Sequence, residues 1–150
     1  MNKKMNKVII YTDGGSRGNP GNAGVGVVIT NEKGQILKKA SKSIGVATNN
    51  FSEYEAVITA FAELKKLFGK NALNMSFEFR LDSELVQKQL SGEYQIKEEK
   101  LYPQFIKIWN LRVKDFPKTI FKHIRREENN LADGLANEAM DHGEQKGLGI

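Results

Sequence analysis

Four carboxylates stand where folding alone gives them little reason to be. Asp13 ends the β-forming run "KVIIYTD", and Asp82 ends "MSFEFRLD". Glu53 begins the row Ala56, Val57, Ala60 and Leu64 of "SEYEAVITAFAELKKLF", so helical spacing turns it inward while Glu55 stays on the wet side. Asp133 lies in the first turns of "NNLADGLANEAMD", beside a row expected to be buried, Leu131, Leu135 and Ala139. Taken singly, an acid near a helix start can simply complement the helix dipole, and an acid after a strand can simply open a turn. Four of them together call for cations. Massed anions repel, and one must take up a proton unless positive charge is held among them. With no Cys in the chain and only two His, the donors are hard oxygens, which suit magnesium or manganese better than zinc.

The elements that must carry these acids follow the order β-β-β-α-β-α-α-β-α. "AGVGVVITNEKGQILKKASKSI" reads as two strands joined at Asn31 to Gly34. The first helix has candidate caps at Thr48, Asn49 and Asn50 and a Ser52-x-x-Glu55 capping box. "SELVQKQL" is a short helix. "PQFIKIWNLRVKDF" is a longer one, with Phe105, Ile108, Trp109 and Arg112 as its inner stripe and Pro103 in its first turn. "KTIFKHIR" is the last strand. Strands joined through helices run parallel, because the crossover is right-handed. The expected fold is therefore α/β: a five-stranded mixed sheet, three antiparallel strands then two parallel to the first, with helices on both faces. Ligands gather at the carboxyl ends of such strands, where "YTD" and "RLD" place their aspartates. One domain is expected over residues 1–150, with flexible ends at about 1–4 and 142–150.

The bulk numbers set the partner class. A net charge of +5 and a pI near 9.3 lean toward an anionic partner. The sequence shows no apolar run suited to a signal peptide or a bilayer span, and the cysteine-free composition is compatible with a reducing, cytoplasmic setting. After Asp13 comes "GGSRGNPGNAG". Bulky side chains there would hold a phosphate away from the acids, whereas the backbone of Gly14, Gly15 and Ser16 can approach it. Asn19, Asn22, Asn49 and Asn50 are suited to touching sugars and base edges in a wide, shallow minor groove, where a 2′-hydroxyl separates RNA from DNA.

The segments "YTDGGSRGNPGNAGVGVVI", "TNNFSEYEAVITAF", "LDSELVQKQL" and "HIRREENNLADGLANEA" resemble the four signature blocks of type 1 ribonuclease H, in the family's order and across nearly the whole chain. The resemblance implies a monomeric endonuclease that cuts the RNA strand of an RNA–DNA hybrid, leaving 5′-phosphate and 3′-hydroxyl ends. It implies two metal ions, Mg2+ or Mn2+. Asp13 matches the acid that bridges them, Asp133 the ligand on the water side, and Glu53 and Asp82 the ligands on the leaving-group side. Such a pair stabilises both the attacking and the departing oxygen of an in-line displacement. Asn50 matches an asparagine that reads the minor groove. His123 stands ten residues before Asp133, at the place of an auxiliary proton-shuttling histidine, and Arg126 fits the "HxxRExN" form that uses an arginine instead.

Two departures from the family pattern matter. The interval "SGEYQIKEEKLYPQ" lacks the basic Lys/Trp-rich protrusion that some relatives use to grip hybrid, which leaves Lys3, Lys4, Lys7, Lys38, Lys39 and Lys42 as alternative cations. Glu84 is an acid near a position where some relatives carry a neutral groove reader. Two rival readings are a non-catalytic nucleic-acid module, which is expected to have lost at least one of the acids, and a nucleotide-phosphate binder. "GGSRGNPG" lacks the Gly-Lys-Ser/Thr ending that the latter needs.

Overall fold

In the computed structural model, which describes residues 6–147, the first strand does not stop at Asp13. Strand β1 runs Lys7–Gly18, through the glycines, and pairs antiparallel with β2 (Gly21–Asn31) along its length, Asp13 opposite Gly26 and Gly18 opposite Gly21. The glycine-rich stretch is therefore strand rather than loop, and the turn is confined to Gly18–Gly21. Strand β3 (Ile36–Ala47) pairs antiparallel with β2. Strands β4 (Ser76–Leu81) and β5 (Thr119–His123) are parallel to β1 and to each other, giving the order β3-β2-β1-β4-β5. The expected five-stranded mixed sheet is what the chain forms.

Helix α1 (Asn49–Phe68) starts at Thr48, whose hydroxyl accepts from the Phe51 N–H, while Ser52 donates back to the Thr48 carbonyl. The cap is therefore Thr48, and no box at Ser52 is needed. Helix α2 (Glu84–Leu90) is capped in the same way by Ser83. Helix α3 (Tyr102–Lys114) carries Pro in its first turn. Together α1, α2 and α3 cover one face of the sheet, where Tyr54, Phe61, Leu64, Val86 and Ile108 pack against Val8, Ile10, Phe77 and Phe79.

Helix α4 (Asn130–Gly147) lies on the opposite face and continues past His142, where the tail was expected to fray. Residues 1–5 and 148–150, with Lys3, Lys4 and the ends of both expected tails, lie outside the described residues. The buried row of α4 is Ala132, Ala136, Ala139 and Met140, whereas Leu131 is exposed. The reason lies in β2. A Cβ on Gly24 would stand 2.7 Å from the Ala139 Cβ, and one on Gly26 would stand 2.1 Å from the Ala132 carbonyl oxygen. Helix and strand approach so closely that only alanine fits between them. The expected inner stripe of α3 is corrected too: Ile108 is buried and Phe105 and Leu111 pack on the core, but Trp109 faces solvent.

On the α4 side of β4 one carboxylate is buried alone. Glu78 is 1% exposed, with Arg80 Nε at 2.7 Å, Lys7 Nζ at 3.2 Å and Lys122 Nζ at 3.3 Å. Burial pushes this carboxyl up, but the hydrogen bonds of Arg80, Lys7 and Lys122 outweigh it and hold the pKa at about 2. A depressed acid stabilises the fold above its unfolded pKa of 4.5, and that contribution is lost as pH falls toward 2. Glu78→Gln is expected to cost about 2 kcal/mol at pH 7, a value discounted because the cations are partly solvated. The difference from wild type should vanish in melts near pH 2.

Candidate active site

Strand register brings the first two acids level. Tyr11 of β1 pairs with Arg80 of the parallel β4, and two residues beyond each stand Asp13 and Asp82. Helix α1 delivers the third. Its first turn lies directly on Gly14, where a Cβ would fall 2.2 Å from the Ser52 carbonyl oxygen, and this contact lowers Glu53 onto β1 beside Asp13. Carboxylate oxygens of Asp13, Glu53 and Asp82 lie within 4.8 Å of one another. Asp133, from the first turn of α4, lines the same open cleft of about 510 Å³ and acts on Asp13, but stands outside that trio. The remaining lining includes Gly14, Gly15, Ser16, Asn49 and Arg126.

The cluster is electrostatically unsatisfied. Burial first, then the charge of Asp82 and the proximity of Asp133, push the Asp13 carboxyl up to about 8. Burial, Asp13 and Asp82 likewise raise Glu53 well above the carboxylate range, against a partial relief from the Gly14 N–H. Among the described residues no Lys or Arg forms an ion pair with any of the four acids. Oε2 of Glu53 is buried without a hydrogen-bond partner. An all-oxygen set with an orphaned, inward-facing oxygen fits a hard divalent cation.

The sequence reading missed Asn129. This buried side chain donates through Nδ2 to the Thr12 carbonyl at 2.9 Å and to Asp82 Oδ2 at 3.2 Å, and the Asn129 main-chain carbonyl accepts the Asp133 N–H at 3.0 Å. One residue thus ties together the middle of β1, Asp82 and the start of α4. The available signal was an asparagine four residues before Asp133, where the first turn of α4 closes. Asn129→Ala should destabilise by about 1–3 kcal/mol and misplace Asp82. Any activity is then expected to fall at least about tenfold at temperatures where melts show the variant folded.

The expected substrate asparagines are largely engaged within the chain. Asn19 accepts the Asn49 N–H at 3.0 Å, and Asn49 accepts from the N–H and hydroxyl of Ser16 at 2.9 and 3.0 Å. Asn22 donates to the Met140 carbonyl, which ties β2 to α4, and does not itself line the cleft. Asn50 donates to Glu98 at 2.8 Å. Of the auxiliary candidates, Arg126 lines the cleft. His123 stands beside it with Nε2 at 3.2 Å from the Asp82 carbonyl oxygen and Nδ1 at 4.0 Å from Glu84.

The chain is similar to several known proteins. Residues 11–139 match the family described as reverse transcriptase-like. A protein of Halobacterium salinarum named Ribonuclease HI is 40% identical over 135 residues, 90% of this chain and 65% of its own. A Mycobacterium tuberculosis protein named as bifunctional is 38% identical over 136 residues, also 90% of this chain. The chain thus spans 36% of the mycobacterial relative's length and 65% of the halobacterial one. The solved structure of LC11-RNase H1, isolated from compost by a metagenomic approach, superposes with a TM-score of 0.88 at 51% identity, covering 92% of this chain and 98% of that one. The same relative, solved in complex with RNA/DNA hybrid, superposes with a TM-score of 0.87.

Proposed function

The chain belongs to the type 1 ribonuclease H family, and on that premise we propose that it is a metal-dependent endonuclease hydrolysing the RNA strand of RNA–DNA hybrids. The observation that carries this reading is the uncompensated meeting of Asp13, Glu53 and Asp82 within 4.8 Å, with Asp133 in the same cleft. These four would hold two ions, Mg2+ or Mn2+, with Asp13 at the centre of the set. Bound there, the pair supplies Lewis-acid polarisation of the scissile phosphodiester and neutralises its developing charge.

The chain's own residues do the rest. Gly15 faces the cleft with no backbone closer than ordinary contact, which leaves room for a phosphodiester beside Asp13. Ser16, Gly14 and Asn49 present polar groups along the same wall. Arg126 places a guanidinium at the cleft to meet phosphate, which makes it our choice over His123 as the auxiliary group. The products are a 5′-phosphate and a 3′-hydroxyl, and the enzyme is a cytoplasmic monomer.

A labelled RNA–DNA hybrid, incubated beside single-stranded RNA and duplex DNA with and without Mg2+ or Mn2+, tests the proposal. The expected result is internal cleavage of the hybrid's RNA strand only, and only with metal. An intact hybrid under both metals refutes it.

A further inference from the structure

The cleft holds a second guanidinium besides that of Arg126. Strand alternation puts Arg17 on the face of β1 that also carries Asp13 and Gly15. A Cβ on Gly15 would point at Met140 of α4, so this face lies toward α4. Arg17 lines the cleft, as do Asp133 and Asn137 of α4. Its Nη1 donates to Asp141 and lies 3.1 Å from Glu144 Oε2, and neither of these acids lines the cleft. Its Nη2 reaches Asn137 Oδ1 at 3.4 Å, a long contact, and among the described residues Nε has no partner. One nitrogen is therefore spent on two acids outside the cleft. The side edge of the fork, Nε with Nη2, stands on the cleft side with its donors largely unspent. That edge can take two oxygens of a phosphate at once. Position separates it from the reacting bond. Arg17 is four residues beyond Asp13 on β1, roughly 13 Å of strand. Asp141 is eight residues beyond Asp133 on α4, roughly 12 Å of helix. Arg126 follows β5, two strands from β1 in the sheet, so the two guanidiniums approach the acids from different directions.

We propose that Arg17 is a substrate-binding residue: with Nη1 anchored on Asp141 and Glu144, its Nε–Nη2 edge takes a backbone phosphate of the hybrid away from the bond being cut. The anchor holds a long side chain still, which lowers the ordering cost of the phosphate contact. The inference rests on the proposed cleavage of RNA–DNA hybrids.

Initial rates on a labelled RNA–DNA hybrid with Mg2+, over about 50–200 mM salt, provide the test. Arg17→Gln should raise KM about tenfold, as suits one lost charge-assisted contact, with kcat within about twofold of wild type. The plot of log kcat/KM against log salt should become shallower by about 0.9, the share of a single duplex phosphate. Arg17→Lys should restore the slope, since the charge returns, but not the full KM, since the fork does not. Asp141→Asn with Glu144→Gln breaks the same ion pairs and is the control. It should move KM by less than about threefold, as befits exposed pairs, and leave the slope at the wild-type value. The inference is overturned if Arg17→Gln leaves KM and slope unchanged, or if it lowers kcat alone. It is also overturned if the two acid substitutions reproduce the effect of Arg17→Gln, which would make Arg17 only a tie between the β1–β2 turn and α4. A wild-type protein that cuts no hybrid under Mg2+ or Mn2+ refutes the proposed function, and this inference with it.

Discussion

Asp13→Asn should lose at least about 10³-fold in turnover of an RNA–DNA hybrid, since the site's cation chemistry is worth several kcal/mol and this carboxylate stands at its centre. The same variant should be more stable than wild type when metal is absent. In the folded protein the Asp13 carboxyl is held up at about 8, against an ordinary value of 3.8. Between those values the unfolded chain gives up a proton that the folded chain keeps, so the stabilising contribution is full below 3.8 and is lost as pH rises through 8. Asparagine has no proton to lose. Metal-free wild type should therefore melt progressively lower from pH 5 to pH 9, and Asp13→Asn should follow a flatter curve. At pH 8 the variant should gain on the order of 2 kcal/mol, or about 6 °C. Paired activity assays and calorimetric melts check both halves. A variant that is dead but no more stable would show that the acids are not crowded as described.

Gly14→Ala carries a large expected cost to the fold and to the site together. The added Cβ would meet the Ser52 carbonyl oxygen at 2.2 Å, its carbon at 2.3 Å and the Glu53 nitrogen at 2.7 Å. All three are backbone atoms, so relief requires moving the start of α1, and with it Glu53. A loss of about 3 kcal/mol or more is expected, near 10 °C in melting temperature, with activity reduced even where the variant remains folded. Gly15→Ala is the control. Its Cβ would meet nothing nearer than the Met140 Cε at 3.5 Å, an ordinary contact, so stability should stay near wild type. Its Cβ would still line the wall of the cleft, and hybrid cleavage should fall. Two adjacent glycines thus separate by thermal melting and by rate, one needed by the helix and one by the substrate.

Asp82 at the end of β4 and the inward Glu53 were legible in the sequence because period and position are local signals, the acid closing a run or opening a stripe. Asp13 stands out as an acid after an apolar run, but β1 continues past it to Gly18. The strand directions followed from the connections, hairpins first and helical crossovers after. What stayed hidden depends on distant backbone. Nothing local in α4 says that Gly24 and Gly26 of β2 admit only alanine, so the larger Leu131 and Leu135 looked like the buried row. In α3 two apolar rows compete, and spacing alone did not choose between Phe105–Ile108 and Ile106–Trp109. Glu78 and Asn129 were invisible for a related reason. A buried polar side chain is defined by its partners, and those of Glu78 come from β1 and β5, those of Asn129 from β1 and the end of β4. The glycine run was read with a single purpose, and the structure divides it between α1 packing and an open cleft.

Calorimetric titration of Mn2+ into the protein near pH 7, repeated in buffers of different ionisation enthalpy, puts the gathered acids to the most direct trial. Saturable binding with release of at least about one proton per protein is expected, because Asp13 enters the titration protonated, and Asp13→Asn should lower that release. Heats that show no saturable Mn2+ binding, or binding and proton release unchanged by Asp13→Asn, would contradict the account.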